Sequence, residues 1–325
     1  MLQNNNSKTK KVSIVILQFN NSGDTARCLE SVKELKYIKF DIVVIDNSSK
    51  FEHLNSAKEY LESQWPKAIG YKLVALNHNL GYAGGNNVGI RYALENGADY
   101  ILVLNPDTRV DAELLNKSVV GAESGDIGIV GPAIDESRTF PEEDASHQEI
   151  DTSEKVRDKG SRTVYGGKIS WLKPELHHNS EPETVAPKLY VIGSCMLVKK
   201  EVFEKIGFFD ERYFLYFEDA DFNVRAQKAG FRIKIIQEKL VSHNVSSSTK
   251  SLGSPMLLRY HYRNAHLFNA KNGPLWAKAL LPFWSIYVIL KQLLKLVIMP
   301  QKWKFSTAIL AGVFDFYLGK FGKIV

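Results

Sequence analysis

"VSIVILQFNNSGDTARCLESVKELKYIKFDIVVIDNSS" occupies residues 12–49 and sets two apolar, β-branched runs of strand length, 12–17 and 40–45, around a stretch with helical spacing at 24–35. Short apolar runs bounded by polar turn residues are the pattern of strands buried on both faces. The same alternation continues with runs at 71–76 and 100–104, separated by helical stretches at 50–63 and 84–95. Strand–helix alternation of this kind predicts an α/β fold, a mainly parallel sheet flanked by helices. Ligands of such sheets lie beyond the carboxyl ends of the strands. That rule directs attention to "QFN" (18–20), "DNSS" (46–49), "NHNLGYAGGNN" (77–87) and "NPD" (105–107), which all follow strands and should share one rim.

Farther along, a strand is predicted at 127–134, followed by a polar stretch, 135–187, that reads as loops or an insertion. Strand character returns at 188–200. "YFEDADFNVRAQKAG" (216–230) opens a helix closed by Gly230, and "FRIKIIQEKLVSH" (231–243) is a further strand ending at His243. No internal repeat is evident.

A chain of 325 residues can bury one large core, or one core and an appendage. Its net charge of +6 is unevenly distributed: residues 259–325 hold ten Lys/Arg and one acid, Asp315, whereas residues 1–258 are slightly acidic. The opening "MLQNNNSKTKK" has no apolar h-region, so the expectation is a chain that begins in the cytoplasm. Cys28 and Cys195 are far apart and outside any C-x-x-C spacing, and are expected reduced and packed. "ALLPFWSIYVIL" (279–290) is uncharged but shorter than the roughly 20 residues a spanning helix needs. Extension to Met299 admits Lys291 and Lys295, four apart on one face. The expected arrangement is therefore a helix lying in the membrane surface, with Trp276, Trp284 and Trp303 at the interface; its alternative is a helix docked on the main domain. The division anticipated is a tail at 1–10, a main domain at 11–258 and a basic, helical, membrane-associated extension at 259–325. An apolar, Trp-rich tail argues for lipid rather than nucleic acid as its partner.

Each rim segment has a chemical reading and a plainer one. Asn105 and Asp107, two residues apart, could hold a divalent cation, or Pro106 could simply shape a turn. Gly81, Gly84, Gly85 and Gly89 could bring a helix start against a phosphate, or serve packing alone. Asp46 could accept a hydrogen bond from a nucleoside, or close an Asx turn. His243 is a lone histidine at a strand end. Glu218, Asp219 and Asp221 could cap a helix; Asp221 and Arg225, spaced i,i+4, read as a surface ion pair. For Asp219, the aromatic run "GFFDERYFLYF" (207–217) should raise the pKa, and the helix start should lower it.

"VSIVILQFN", "VVIDNSS", "NLGYAGGNNVG", "LNPD", "IGSCMLVKKEVFEKIGFFDERYFLYFEDADFNVRAQKAG" and "VSHNVSSS", in this order, resemble the family 2 glycosyltransferases of the GT-A (Rossmann-like) fold, particularly the bacterial rhamnosyltransferase-like branch. The resemblance covers about residues 11–270. It implies an inverting transfer of a sugar, with dTDP-rhamnose the favoured donor and a UDP-sugar the other choice, to a lipid-linked saccharide at the cytoplasmic face of the membrane. It implies Asp219 as catalytic base with Glu218 beside it. Asn20, Asp46, Asn47, Asn79, Gly84, Asn105 and Gly193 fall to the nucleotide-sugar, and Asp107 and His243 to a divalent cation, Mg²⁺ or Mn²⁺. This chain departs from the family's D-x-D in having Asn105 at its first position. The rival readings are a sugar-phosphate nucleotidyltransferase, which should carry a Gly-rich, Arg-containing loop after the first strand where "QFNNSGDTARC" has one glycine, and a non-catalytic membrane-surface protein that binds glycan or nucleotide.

Overall fold

The computed structural model describes residues 9–137, 162–182, 189–244 and 254–324. In it the opening stretch forms β1 (Val12–Gln18), α1 (Ser22–Lys33) and β2 (Phe40–Asp46), followed by α2 (Phe51–Ser63), β3 (Gly70–Ala75), α3 (Gly81–Glu95) and β4 (Tyr100–Leu104). β3, β2, β1 and β4 lie side by side in that order, all parallel. Every residue of β1 is buried because side chains alternate between two covered faces. Ile14 and Ile16 meet Cys28, Leu29 and Val32 of α1 on one face, while Val15 and Leu17 meet Ala83 and Ile90 of α3 on the other.

After β4 the sheet becomes mixed. β5 (Thr108–Val110), α4 (Leu114–Ala122), β6 (Ile127–Ser137), β7 (Arg162–Val164), β8 (Gly167–Ser170), β9 (Glu175–His178), β10 (Leu189–Tyr190), β11 (Cys195–Lys199), α5 (Lys200–Ile206), α6 (Glu218–Lys228) and β12 (Arg232–Asn244) follow. The strand order continues β4-β11-β6-β12-β5, with β11 antiparallel to both neighbours and β12 parallel to β6. Parallel pairing is thus confined to two blocks, and the antiparallel β11 joins them. The strand character expected over 188–200 is divided between two strands: β10 leaves for a small sheet with β8 and β9, and the chain turns at Gly193–Ser194 before β11. Of the polar stretch at 135–187, the described part supplies β7, β8 and β9; residues 138–161 and 183–188 lie outside the described residues, as does the "VSSSTK" that follows β12. Cys28 and Cys195 are free and buried, and burial pushes the Cys28 thiol up to about 12.

Three helices complete the chain: α7 (Ser254–Asn272), α8 (Leu275–Ile298) and α9 (Trp303–Tyr317). α8 is one continuous 24-residue helix with Pro282 inside it, longer than the apolar run suggested, and by length and composition it suffices to cross a membrane. One side of it is covered. His266 of α7 bonds Ser285 of α8 at 3.0 Å, Ser285 bonds Tyr317 of α9 at 2.8 Å, and Ser306 donates to Gln292 at 3.0 Å. The opposite side carries Phe283, Tyr287, Leu290, Leu294 and Val297, exposed and recurring every three or four residues. Trp276 and Trp303 are half-exposed as expected; Trp284 instead stacks on Tyr262 and packs against His266, inside the helical layer.

The glycines of α3 position the site by letting this helix sit deep on the sheet. A Cβ on Gly89 would lie 2.5 Å from Val15 Cγ1 and 3.1 Å from Ile45 Cγ1, both stiff β-branched side chains. Helix propensity favours alanine over glycine by about 1 kcal/mol, but overpacking costs about 1–3 kcal/mol. Gly89→Ala should therefore show a net loss in urea-unfolding free energy; a more stable variant would contradict the close approach of α3 to β1 and β2.

Candidate active site

The carboxyl ends of β1 and β2 stand in parallel register, Gln18 opposite Asp46. Asp46 is buried; one carboxylate oxygen accepts from Gln18 Nε2 at 2.8 Å and the other from the Ser49 N–H at 2.9 Å. The second contact is the Asx turn. Asn20, at φ +51°, donates its N–H to Ser49 Oγ and accepts from the Lys50 N–H. Asn47 donates to Asn79 Oδ1 and to the Gly81 carbonyl, both at 3.1 Å, and accepts from the Leu80 N–H at 2.9 Å. Asn79 Oδ1 also accepts from the Gly81 N–H at 2.7 Å. Asn20, Asp46, Asn47 and Asn79 therefore share one end of the rim and lock three loops together. Among the described residues, Gln18 Oε1, fully buried beside Asp46, has no hydrogen-bond partner. A buried acceptor left so costs about 1–3 kcal/mol, which a ligand donor would recover.

The glycine-rich segment begins α3 and packs against protein. Gly81, at φ +75°, brings its backbone against Phe214, whose carbonyl accepts from the Tyr82 N–H at 2.6 Å. Gly84 is buried, with Leu80 Cβ 2.9 Å and the Glu211 carboxyl 3.7 Å from where its own Cβ would be. Of the two readings of these glycines, the observed contacts are those of packing.

Asp107 and His243, 136 residues apart, meet with Oδ1 and Nε2 at 3.2 Å. Sheet register brings them together: the Asn105–Pro106–Asp107 turn leads straight into β5, which pairs antiparallel with β12 so that His243 faces Thr108. Asn105 adjoins them. Its N–H donates to the Ser194 carbonyl at 2.9 Å and its carbonyl accepts from Thr108 Oγ1 at 2.6 Å. A carboxylate oxygen and an imidazole nitrogen suit Mn²⁺ or Mg²⁺. Among the described residues no third His, Cys, Asp or Glu joins them, so this donor set fits a cation that takes its remaining ligands from a bound diphosphate and water.

The acids lie across the rim. Asp219 Oδ2 accepts from the Gly193 N–H at 2.9 Å and Oδ1 from the Ala220 N–H at 2.7 Å. Gly193 is itself fixed, its carbonyl accepting from Tyr82 Oη at 2.6 Å, and a side chain there would crowd Asp219 Cβ at 3.2 Å. Glu218 is 6% exposed, and among the described residues neither its Oε2 nor the buried Ser194 Oγ has a hydrogen-bond partner. Burial pushes the Glu218 pKa well up, and the neighbouring Asp219 charge adds to this. Asp219 keeps part of its surface open, yet desolvation is still its largest influence and raises it, against the two N–H donors and the His178 charge. Of the two opposing influences on Asp219, the apolar surroundings win. His178 of β9, paired with Glu136 at 2.9 Å, connects the small sheet to this end of the site.

Asp221 corrects a sequence expectation. It is fully buried and accepts from Arg225 at 2.7 Å, Lys271 at 2.9 Å, Asn272 at 2.7 Å and Tyr213 Oη at 3.1 Å, so the i,i+4 pair is the hub between α6 and α7 rather than a surface bridge. Burial is sustained because every approach to the carboxylate carries a donor.

The segment before the acids is strained. Phe214, Tyr216 and Phe217 have φ of +63°, +72° and +75°, a conformation that costs a non-glycine residue about 1–3 kcal/mol. Two adjacent residues of α7 hold it. Arg263 donates to the Tyr213 carbonyl at 3.0 Å and the Arg212 carbonyl at 3.3 Å. Asn264 Nδ2 reaches the carbonyls of Tyr213, Leu215 and Tyr216 at 2.8, 2.7 and 3.1 Å. Both are buried; burial lowers the Arg263 pKa to about 10, so it keeps its charge, and hydrogen bonds to a charged group contribute about 1.5–3 kcal/mol each. Arg263 also donates to the Gly322 carbonyl at 2.7 Å, linking the chain's last residues to the loop. Gln18 and Tyr82 lay inside rim segments the sequence pointed to without being singled out, and Ser194, Arg263 and Asn264 escaped sequence reading. The signal was present only for the last pair: two polar residues inside "YHYRNAHLF" on what the helix period makes an inward face.

Comparison with known proteins follows the same lines. The glycosyl transferase family 2 pattern matches residues 13–207. The chain is 27% identical over 257 residues to the low-salt glycan biosynthesis hexosyltransferase Agl10 of Haloferax volcanii, covering 79% of this chain and 74% of that one. It is 29% identical over 248 residues to the dTDP-rhamnosyl transferase RfbF of Shigella flexneri, covering 74% of each. Among solved structures, the mannosyltransferase PcManGT from Pyrobaculum calidifontis, in complex with GDP-Man and Mn²⁺, superposes with a TM-score of 0.57 at 12% identity, over 97% of this chain and 89% of that one. The last likeness is one of fold, GT-A. With more than half its length matched, the chain belongs to glycosyl transferase family 2.

Proposed function

We propose that the protein is an inverting hexosyltransferase of cell-surface glycan synthesis, moving a sugar from a nucleotide-sugar, with dTDP-rhamnose favoured, to a lipid-linked saccharide. The observation that carries this reading is the Asp219 carboxylate, fixed on the Gly193 N–H and raised in pKa, on the same rim as the Asp107–His243 pair. The name of RfbF supports the donor, and Agl10 supports a hexose as the transferred group.

In this mechanism the acceptor hydroxyl gives its proton to Asp219 as its oxygen bonds the anomeric carbon. The bond from that carbon to the diphosphate breaks on the opposite side, its electron pair leaving with the nucleoside diphosphate. Glu218 lies beside the base, and its burial and the Asp219 charge both favour its neutral form. Asp46, Asn47, Asn79, Asn20 and Gln18 frame the nucleoside, and Gly84 lets α3 approach; Asn105 and Gly193 flank the diphosphate and the transferred sugar. Asp107 and His243 would hold a divalent cation, which supplies positive charge to the departing diphosphate; PcManGT was solved with GDP-Man and Mn²⁺. The exposed stripe of α8, with Lys291 and Lys295 on the same helix, fits a membrane surface at the cytoplasmic face. The hydrogen-bonded side of α8 against α7 and α9 favours lying on that surface over crossing it.

Five outcomes test the reading. Asp219→Asn should lower kcat by about 10²–10⁴-fold with donor affinity retained; a binding-only protein or a nucleotidyltransferase would show no such split. Because burial raises Asp219, the activity of the parent should fall as pH falls, with a midpoint above the ordinary carboxylate value of about 3.9. The same sign applies to stability at Glu218: a raised folded pKa contributes stability that is full in acid and lost as pH rises through it. Glu218→Gln should therefore gain in Tm over the parent as pH rises above the ordinary glutamate value of about 4.3, and equal Tm differences at all pH values would contradict this. His243→Ala should weaken Mn²⁺ binding, read by electron paramagnetic resonance with nucleoside diphosphate present, by at least about tenfold; unchanged affinity would remove His243 as a ligand. Phe283→Glu with Leu290→Glu should release the full chain from anionic vesicles, each exposed large apolar side chain accounting for about 1.5–3 kcal/mol when buried; undiminished flotation with vesicles would locate the attachment elsewhere.

A further inference from the structure

Among the described residues, Arg263 and Asn264 hydrogen-bond neither Glu218 nor Asp219, yet they converge on the segment that delivers them. Their donors take the carbonyls of Arg212, Tyr213, Leu215 and Tyr216, the turn just ahead of Glu218. Carbonyls are aimed at α7 because Phe214, Tyr216 and Phe217 are left-handed. L-residues rarely adopt that conformation singly and still less in a cluster. From Phe217 the chain enters α6, so the direction in which Asp219 leaves the backbone is set by these dihedral angles. On the far side of the turn, the Phe214 carbonyl receives the Tyr82 N–H, and Tyr82 Oη holds Gly193, the residue that donates to Asp219. The turn therefore fixes the base twice: through its own covalent path and through Tyr82 and Gly193.

We infer that Arg263 and Asn264 are positioning residues for sugar transfer, which hold the left-handed turn at 213–217 so that Asp219 stays on the Gly193 N–H. The inference rests on Asp219 acting as base, but the turn's order can be read without any activity. The pair sits on α7, whose Arg259 makes a two-pronged ion pair with Asp315 of α9 and whose His266 bonds Ser285 of α8, so the helix that carries the exposed apolar stripe is tied to the turn through α7.

The test uses Asn264→Ala, Arg263→Lys and the double variant Asn264→Ala/Tyr216→Gly in the full-length chain. Glycine adopts positive φ at no steric cost, so Tyr216→Gly lowers the demand on the clamp without touching it. Asn264→Ala should raise amide hydrogen exchange at 213–219 while β1 and β4 exchange as in the parent. It should lower the rate of nucleoside diphosphate release from dTDP-rhamnose in the presence of acceptor by about 10²-fold, the effect of misplacing a reacting group by about 1 Å. Donor affinity should stay within a factor of about three, and the double variant should regain at least about tenfold of the lost rate, both on the same reasoning. Unchanged exchange at 213–219, a parental kcat, or a loss that glycine at 216 does not relieve would each overturn the inference. If Asn264→Ala fails to fold, Arg263→Lys, which keeps the charge and loses the forked geometry, is read by the same exchange and rate criteria. If the parent itself transfers no sugar, the proposed function fails, and hydrogen exchange alone decides whether the pair orders the turn.

Discussion

One hydrogen bond organises the site: the Gly193 N–H on Asp219 Oδ2, at 2.9 Å. It requires the chain to turn at Gly193–Ser194 instead of running straight from β10 into β11, and a glycine there because a side chain would collide with Asp219. It also requires α6 to begin at a fixed angle. Both demands are met by groups outside the bonded pair, Tyr82 on one side and the turn at 213–217 on the other. A carboxylate raised by burial and still reachable from solvent is the product of these constraints.

The site is divided between the two blocks of the sheet. The parallel block of β3, β2, β1 and β4 ends in the polar lattice around Asp46, in which side chains lock loops to one another. The mixed block provides Asp107 and His243 through the pairing of β5 with β12. The acids come from neither block but from a loop and helix anchored on α7. The apolar sheet thus supplies stability, while polar contacts at its rim supply position; a fully buried Asp221 with four donors is the extreme case of the second kind.

Much of the fold was legible because β1, β2 and β4 are apolar on both faces, so their runs stand out without any knowledge of partners. The order of the rim segments, and hence Asp46, Asn105 and Asp107 at one edge, followed from strand direction alone. The meeting of Asp107 with His243 was available only through family resemblance, since β5 has three residues and leaves no periodic signal. Asp221 was misread because i,i+4 spacing describes one helix and says nothing about α7 covering it. Gly81, Gly84 and Gly89 look alike in sequence, and only the fold shows that they bring α3 close to Phe214, Leu80 and Val15 respectively. Arg263 and Asn264 stood out only as polar residues on an inward helix face; what they hold was hidden, because their partners are carbonyls that only a left-handed turn presents.

The most direct test of the account is a structure of the chain with a nucleoside diphosphate and an acceptor analogue bound together. The account predicts the Asp219 carboxylate within about 2.6–3.2 Å of the acceptor hydroxyl, with the diphosphate against Asp107 and His243 on the other side of the transferred sugar. An acceptor hydroxyl out of reach of Asp219, or a diphosphate seated away from that pair, would contradict it.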